Sequence, residues 1–247
     1  MTSLHKFLNP FSPSYPKKIE TPWGDLEPKV DIFPIAYLIF IYGLVYILPF
    51  GKDIIGISWF DWFRSEDGPL EWIQFVAYFL AFLCCSTLVW GKRHLGFKYQ
   101  TFGWILLALL CFFIAGEEIS WGERITGFGF DALRAINVQG ESNIHNTAFF
   151  HHKLLDPAFE ISCLLFGWIG WQVWPNIEIF PPKRYSLYFL LVALFYLYFD
   201  LSYASTIRQI RNDQEIFELL MSVGILAHCW NSICMAKITN KKKCPSN

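Results

Sequence analysis

Eight consecutive positions, 117 to 124, hold five side chains able to do acid, base or ligand chemistry. They are Glu117, Glu118, Ser120, Glu123 and Arg124, in the stretch "AGEEISWGER". Paired carboxylates can carry protons or bind a cation, and a guanidinium can hold an anionic group through two parallel hydrogen bonds. Glu117, Glu118 and Arg124 are therefore the candidate catalytic residues. The stretch follows the apolar run "YQTFGWILLALLCFFI", which places both glutamates at the C-terminal pole of a helix. That pole is negative and favours cations. Two carboxylates there lower stability unless something positive answers them: Arg124, an arginine from another loop, or a bound cation. If the helix continues past Gly116, then Glu117, Ser120 or Trp121, and Arg124 share one side, with Glu118 about 100° away. The plain alternative is a solvated helix end.

Other acids are grouped in the same manner. "SEDGPLEWIQ" carries Glu66, Asp67 and Glu71. Helix capping accounts for part of it, with Gly68 or Asp67 as cap, Pro69 in the first helical position and Glu71 accepting from orphan amides. Glu71, Gln74 and Tyr78 also share one helical face, a polar stripe that capping does not require. "NVQGESNIHN" places Glu141 and His145 four residues apart, a ligand spacing if helical. Glu71, Glu117, Glu118, Glu141 and His145 form an oxygen-rich candidate set that suits a divalent Mg, Mn or Fe better than structural zinc. Glu160 and Asp200 stand near the ends of two further apolar segments, and Arg208 and Arg211 lie in the loop after the second. Glu215, Glu218, Ser222, Ile225 and Cys229 line one face of the last helix. His228 points to another face and reads as a bond between helices. Neither G-x-S-x-G nor HExxH is present, so the spacing selects no reaction type.

The elements that must position these groups are membrane helices. The 247 residues are 54% hydrophobic and 17% charged, where soluble domains carry about a quarter charged residues. Aromatics reach 19%, a density that suits membrane interfaces. Six segments approach the roughly 17 to 25 residues of a spanning helix: 32–50, 69–91, 99–116, 158–174, 187–203 and 215–236. The expected fold is an all-α polytopic transmembrane bundle of about six spans, residues 31–236. A polar, proline-punctuated tail, 1–30, precedes it, and a basic tail, 237–247, follows it. No cleavable signal peptide is read. "ISWFDWF", 57–63, is too short to cross and reads as an interfacial turn. A long outer loop, 117–157, joins spans three and four, with a short amphipathic helix at 131–138. With six spans, 13 of the 20 Lys and Arg fall on the side of both termini, which puts the termini in the cytoplasm of a cell-membrane protein. The opposite face then holds 16 of the 21 acids, so the grouped carboxylates meet at one acidic outer end. The seven cysteines show no metal-ligand spacing and read as small buried residues. A net charge of −1 excludes a strongly basic nucleic-acid binder, and the bilayer is the expected partner.

The combination "EDGPLEW", "GEEISWGER" and "NVQGESNIHN", about a third of the chain, resembles uncharacterised bacterial multi-pass membrane proteins. The resemblance implies a membrane bundle and brings no established activity. Alkaline-ceramidase-like hydrolases do not fit, because their paired-histidine motif is missing. Three functions fit the residues. One is a metal-dependent, membrane-embedded enzyme on a lipid-linked or small polar ligand. The others are a non-enzymatic assembly or interaction protein and an ion-coupled transporter.

Overall fold

The structure is a computed structural model and describes residues 19–21, 24–26, 28–43, 62–64, 68–92, 99–137, 140–144, 147, 155–201 and 213–243. A small antiparallel pair, β1 (Ile19–Thr21) and β2 (Gly24–Leu26), precedes a helical protein. α1 (Pro28–Asp31) and α2 (Phe33–Tyr42) are followed by the long helices α3 (Pro69–Lys92) and α4 (Tyr99–Glu118). Two short helices, α5 (Glu123–Thr126) and α6 (Asp131–Arg134), occupy the start of the long loop. α7 (Leu155–Leu164) runs through a π turn at Leu165–Ile169 into α8 (Gly170–Val173), so the segment read at 158–174 is helical as far as Val173. α9 (Ser186–Leu201) and α10 (Gln214–Lys243) complete the chain.

Among the described residues, three helices are long and apolar enough to cross a membrane: α3, α4 and the Gln214–Ala236 part of α10. α3 starts where Pro69 predicts, because a fixed φ and a missing amide cost nothing in a first helical turn. The helix expected at 131–138 is shorter, a single turn at Asp131–Arg134. Of the segment 57–63, only Trp62 and Phe63 are described.

α3 packs on α4 and on α10, while α9 packs on α7 and α10. The buried positions of α3 recur at helical spacing: Leu70 and Glu71, Gln74, Ala77 and Tyr78, Ala81, Cys84 and Cys85, then Leu88. Small buried residues, Ala81, Ala108, Ala115 and Cys85, let the backbones approach closely. Cys85 Sγ lies 3.4 Å from Cys229 Sγ, both as free thiols in this seam. The outward faces are just as apolar. Phe79, Leu80, Leu83, Leu106, Leu109, Phe112 and Phe113 are all exposed. A helix apolar on every side belongs in a large core or a bilayer.

The antiparallel run of α3 and α4 gives the bundle two polar ends. At one, Glu178 accepts from Lys92 and from Trp104 Nε1 at 3.1 Å, and its backbone carbonyl meets His228 Nε2 at 3.1 Å. His228 also stacks on Trp104 of α4, while its hydrogen bond goes to the loop at Glu178 and not to another helix. At the other end stand Glu71, Glu117 and Glu118.

Candidate functional site

α4 ends at Glu118, two residues past Gly116, and does not carry on to Arg124. The chain leaves through a 3₁₀ turn, Ser120–Gly122, in which Ser120 (φ 47°) and Trp121 (φ 53°) adopt left-handed backbone. The shared helical side expected for Glu117, Ser120 and Arg124 is therefore replaced by a reversal. Trp121 folds back over Gly116, where an added Cβ would lie 2.9 Å from its ring. Its ring meets Phe112 and Phe113 edge-on, and its indole N–H donates to Glu117.

The reversal aims Arg124 inward. Its Nη1 donates to the Glu71 carboxylate and, at 2.8 Å, to the backbone carbonyl of Glu118, one of the orphan acceptors of a helix end. Its Nη2 lies 3.2 and 3.5 Å from the two Glu141 carboxylate oxygens. One guanidinium thus ties the start of α3, the end of α4 and the 140–144 segment. Glu141 also accepts from Ser120 Oγ at 2.8 Å and from Asn143 Nδ2 at 2.6 Å. Glu117, buried, accepts the Ile144 amide at 2.7 Å.

Glu123 holds the outer part of the same loop. It accepts the Ser142 amide at 2.7 Å and Arg134 Nε at 2.7 Å. The Ser142 hydrogen bonds, and after them Arg134, keep the Glu123 carboxyl below its ordinary range, and Glu123 in turn raises Arg134. Asn137 Nδ2 donates to Asn143 Oδ1 at 2.6 Å and to its carbonyl at 2.9 Å.

A second acidic group lies deeper, between α3, α4 and α10. Gln74 is 0% exposed, and its Nε2 donates to Glu215 Oε2 at 2.8 Å and to the Glu215 carbonyl at 3.2 Å. The Gln74 Oε1 beside it has no hydrogen-bond partner among the described residues. Tyr196 donates to Glu218. The half-buried Glu118 stands within charge–charge range of Glu218, Glu71, Arg124 and Glu117, and Glu215 within range of Glu218, Glu71 and Glu118. Arg64 and Asp213 form a separate buried pair at the opening of α10.

The structure thus brings together Glu71, Glu117, Glu118, Arg124, Glu141, Glu215 and Glu218. Glu160 sits half-buried on α7 and makes no hydrogen bond with a described residue. Glu66, Asp67, His145 and Arg208 lie outside the described residues. Of the five expected metal ligands, Glu117 accepts from the loop at Ile144, and Glu71 and Glu141 both accept from Arg124. Among the described residues, no three His, Cys, Asp or Glu side chains are placed to hold a metal ion. Asn137, Ser142, Asn143 and Tyr196 carry the network, and Arg64 pairs with Asp213, without having been singled out. The amides and hydroxyls crowded into "NVQGESN" were the available signal for three of them. The chain matches no family model, no curated protein and no solved structure.

Proposed function

We propose that the chain is a multi-pass integral membrane protein of the cell membrane, with six spans and both termini in the cytoplasm, of the bacterial kind its motifs resemble. Its outer end serves as a cation-accepting site for membrane-embedded enzyme chemistry on a small polar or lipid-linked substrate. The charge balance supports this reading. Glu71, Glu118, Glu215 and Glu218 gather from α3, α4 and α10, and the guanidinium among them, Arg124, is already shared with Glu141. Ionisable groups at membrane depth demand a counter-charge, and a divalent Mg, Mn or Fe would supply one. Glu118, whose carboxylate takes no hydrogen bond from a described residue, is the side chain with freedom to turn toward it. A second reading, a non-enzymatic assembly or interaction protein, is favoured by Glu117, Glu123 and Glu141, which hold the loop to the helix ends. Metal analysis of detergent-purified protein separates the two. The enzyme reading expects bound metal that Glu118→Gln loses while the protein stays folded. Metal-free protein whose melting chelator leaves unchanged supports the second reading.

A further inference from the structure

Between Glu123 and Ile136 the loop presents four large apolar side chains outward. Ile125 is 63% exposed, Phe128 85%, Phe130 62% and Ile136 60%. These are not loose: the segment that carries them is stapled from the inside. Glu123 joins Arg134 and the Ser142 amide, and the Phe130 amide donates to Ser142 Oγ at 2.6 Å. Gly127, at φ 72°, closes the turn of α5 by bonding its amide to the Glu123 carbonyl at 2.7 Å. The polar side chains thus satisfy one another, and the apolar ones are what the loop offers to its surroundings. A stapled loop with an apolar tip is built to enter something.

The apolar surface does not begin at the loop. Phe112 and Phe113 are exposed on the outward face of α4, and Trp121 lies across them, itself partly exposed. Ile125 follows one turn of chain later. Tryptophan in that position, with an apolar ring and an N–H turned to a carboxylate, is the side chain that membrane–water boundaries select. We infer that the 123–136 loop docks into the outer leaflet of the bilayer, with Ile125, Phe128, Phe130 and Ile136 as its insertions, and does not stand in water above the site. The inference rests on the reading that α4 crosses the membrane. Asp131, exposed and 3.5 Å from Arg134, sets the depth: the loop lies at headgroup level and only its apolar side chains reach the acyl boundary.

The test uses the full chain in phosphatidylcholine–phosphatidylglycerol nanodiscs, with Cys234 and Cys244 replaced by Ser. Nitroxide labels are placed one at a time at Ile125→Cys, Phe128→Cys, Phe130→Cys, Asp131→Cys and Ile136→Cys, and at Leu109→Cys as a reference on the outward face of α4. Relaxation by oxygen, which partitions into lipid, is compared with relaxation by a water-soluble nickel chelate. Phe128 and its three apolar companions should favour oxygen, as Leu109 does, with Asp131 shifted several-fold toward nickel. Nickel accessibility at Phe128 and Phe130 equal to that at Asp131, with Leu109 still in lipid, overturns the docking. Exclusion of both reagents from the loop overturns it as well, in favour of a second copy or a protein partner. Nickel accessibility at Leu109 itself marks failure of the membrane reading rather than of the loop.

Discussion

Arg124 shows how a single side chain resolves an electrostatic problem posed by the helix before it. Carboxylates at the negative pole of α4 need a cation, and the guanidinium reaches back to cap the Glu118 carbonyl while pairing with Glu71 and Glu141. Arg124→Met strands two largely buried carboxylates, and breaking such a pair costs about 3 to 5 kcal/mol. Thermal unfolding in detergent should show that loss, with part of it recovered in Arg124→Met/Glu71→Gln. Wild-type melting of the single variant would mean that water, and not Arg124, satisfies Glu71. Glu117 sets two effects against each other. Glu117→Gln relieves the helix pole by about 0.3 to 1 kcal/mol. It also weakens a charged acceptor of the Ile144 amide and the Trp121 indole, bonds of about 1.5 to 3 kcal/mol each. The loss wins, so the variant should melt below wild type. A melting point at or above wild type would reduce Glu117 to an acidic helix end.

The elements decide whether those residues meet. Two non-glycine residues in left-handed backbone, Ser120 and Trp121, cost about 1 to 3 kcal/mol each, and the packing of Trp121 on Phe112, Phe113 and Gly116 offsets part of it. Farther along, Gly129 passes so close to the staple that a Cβ would lie 2.2 Å from Ser142 Oγ and 2.6 Å from Glu123 Oε2. Gly129→Ala should therefore detach the loop while leaving the helices in place. A nitroxide at Ala132→Cys would report this as faster motion with unchanged global melting, and unchanged motion would show that the staple yields without breaking. The same label reads the staple's pH dependence. Glu123 is held below its ordinary carboxylate range when folded, so its contribution is full above the unfolded value and disappears as pH falls through the folded one. Loop motion should increase on acidification below the ordinary glutamate range, and Glu123→Gln should remove that dependence.

At the scale of the molecule, the three described helices long and apolar enough to cross a membrane pack on one another through α3 while their outer faces stay apolar. The six-span reading makes a topological prediction. Ala132→Cys, exposed on the loop, should react with an impermeant maleimide added outside intact cells, and Ser246→Cys only after permeabilisation. Reaction of both from outside would require an even number of spans between the loop and the C-terminus, where the six-span reading has three.

Local spacing was enough to mark α3 and the side of it that turns inward. Pro69 marked the start of α3, and Glu71, Gln74 and Tyr78 fell on one buried face because 3.6 residues per turn puts them there. The need for a cation at Glu117 and Glu118 was equally local, since a helix carries its own dipole. Which acids that cation would meet was not. The left-handed turn at Ser120–Gly122 redirects the chain, so Arg124 reaches Glu71, 53 positions earlier, and Glu141, 17 later, while Glu117 bonds a backbone amide 27 residues away. Pattern gives each helix its faces. Only the packing of α3, α4 and α10, together with a strained turn between them, chooses which polar groups share one end of the bundle.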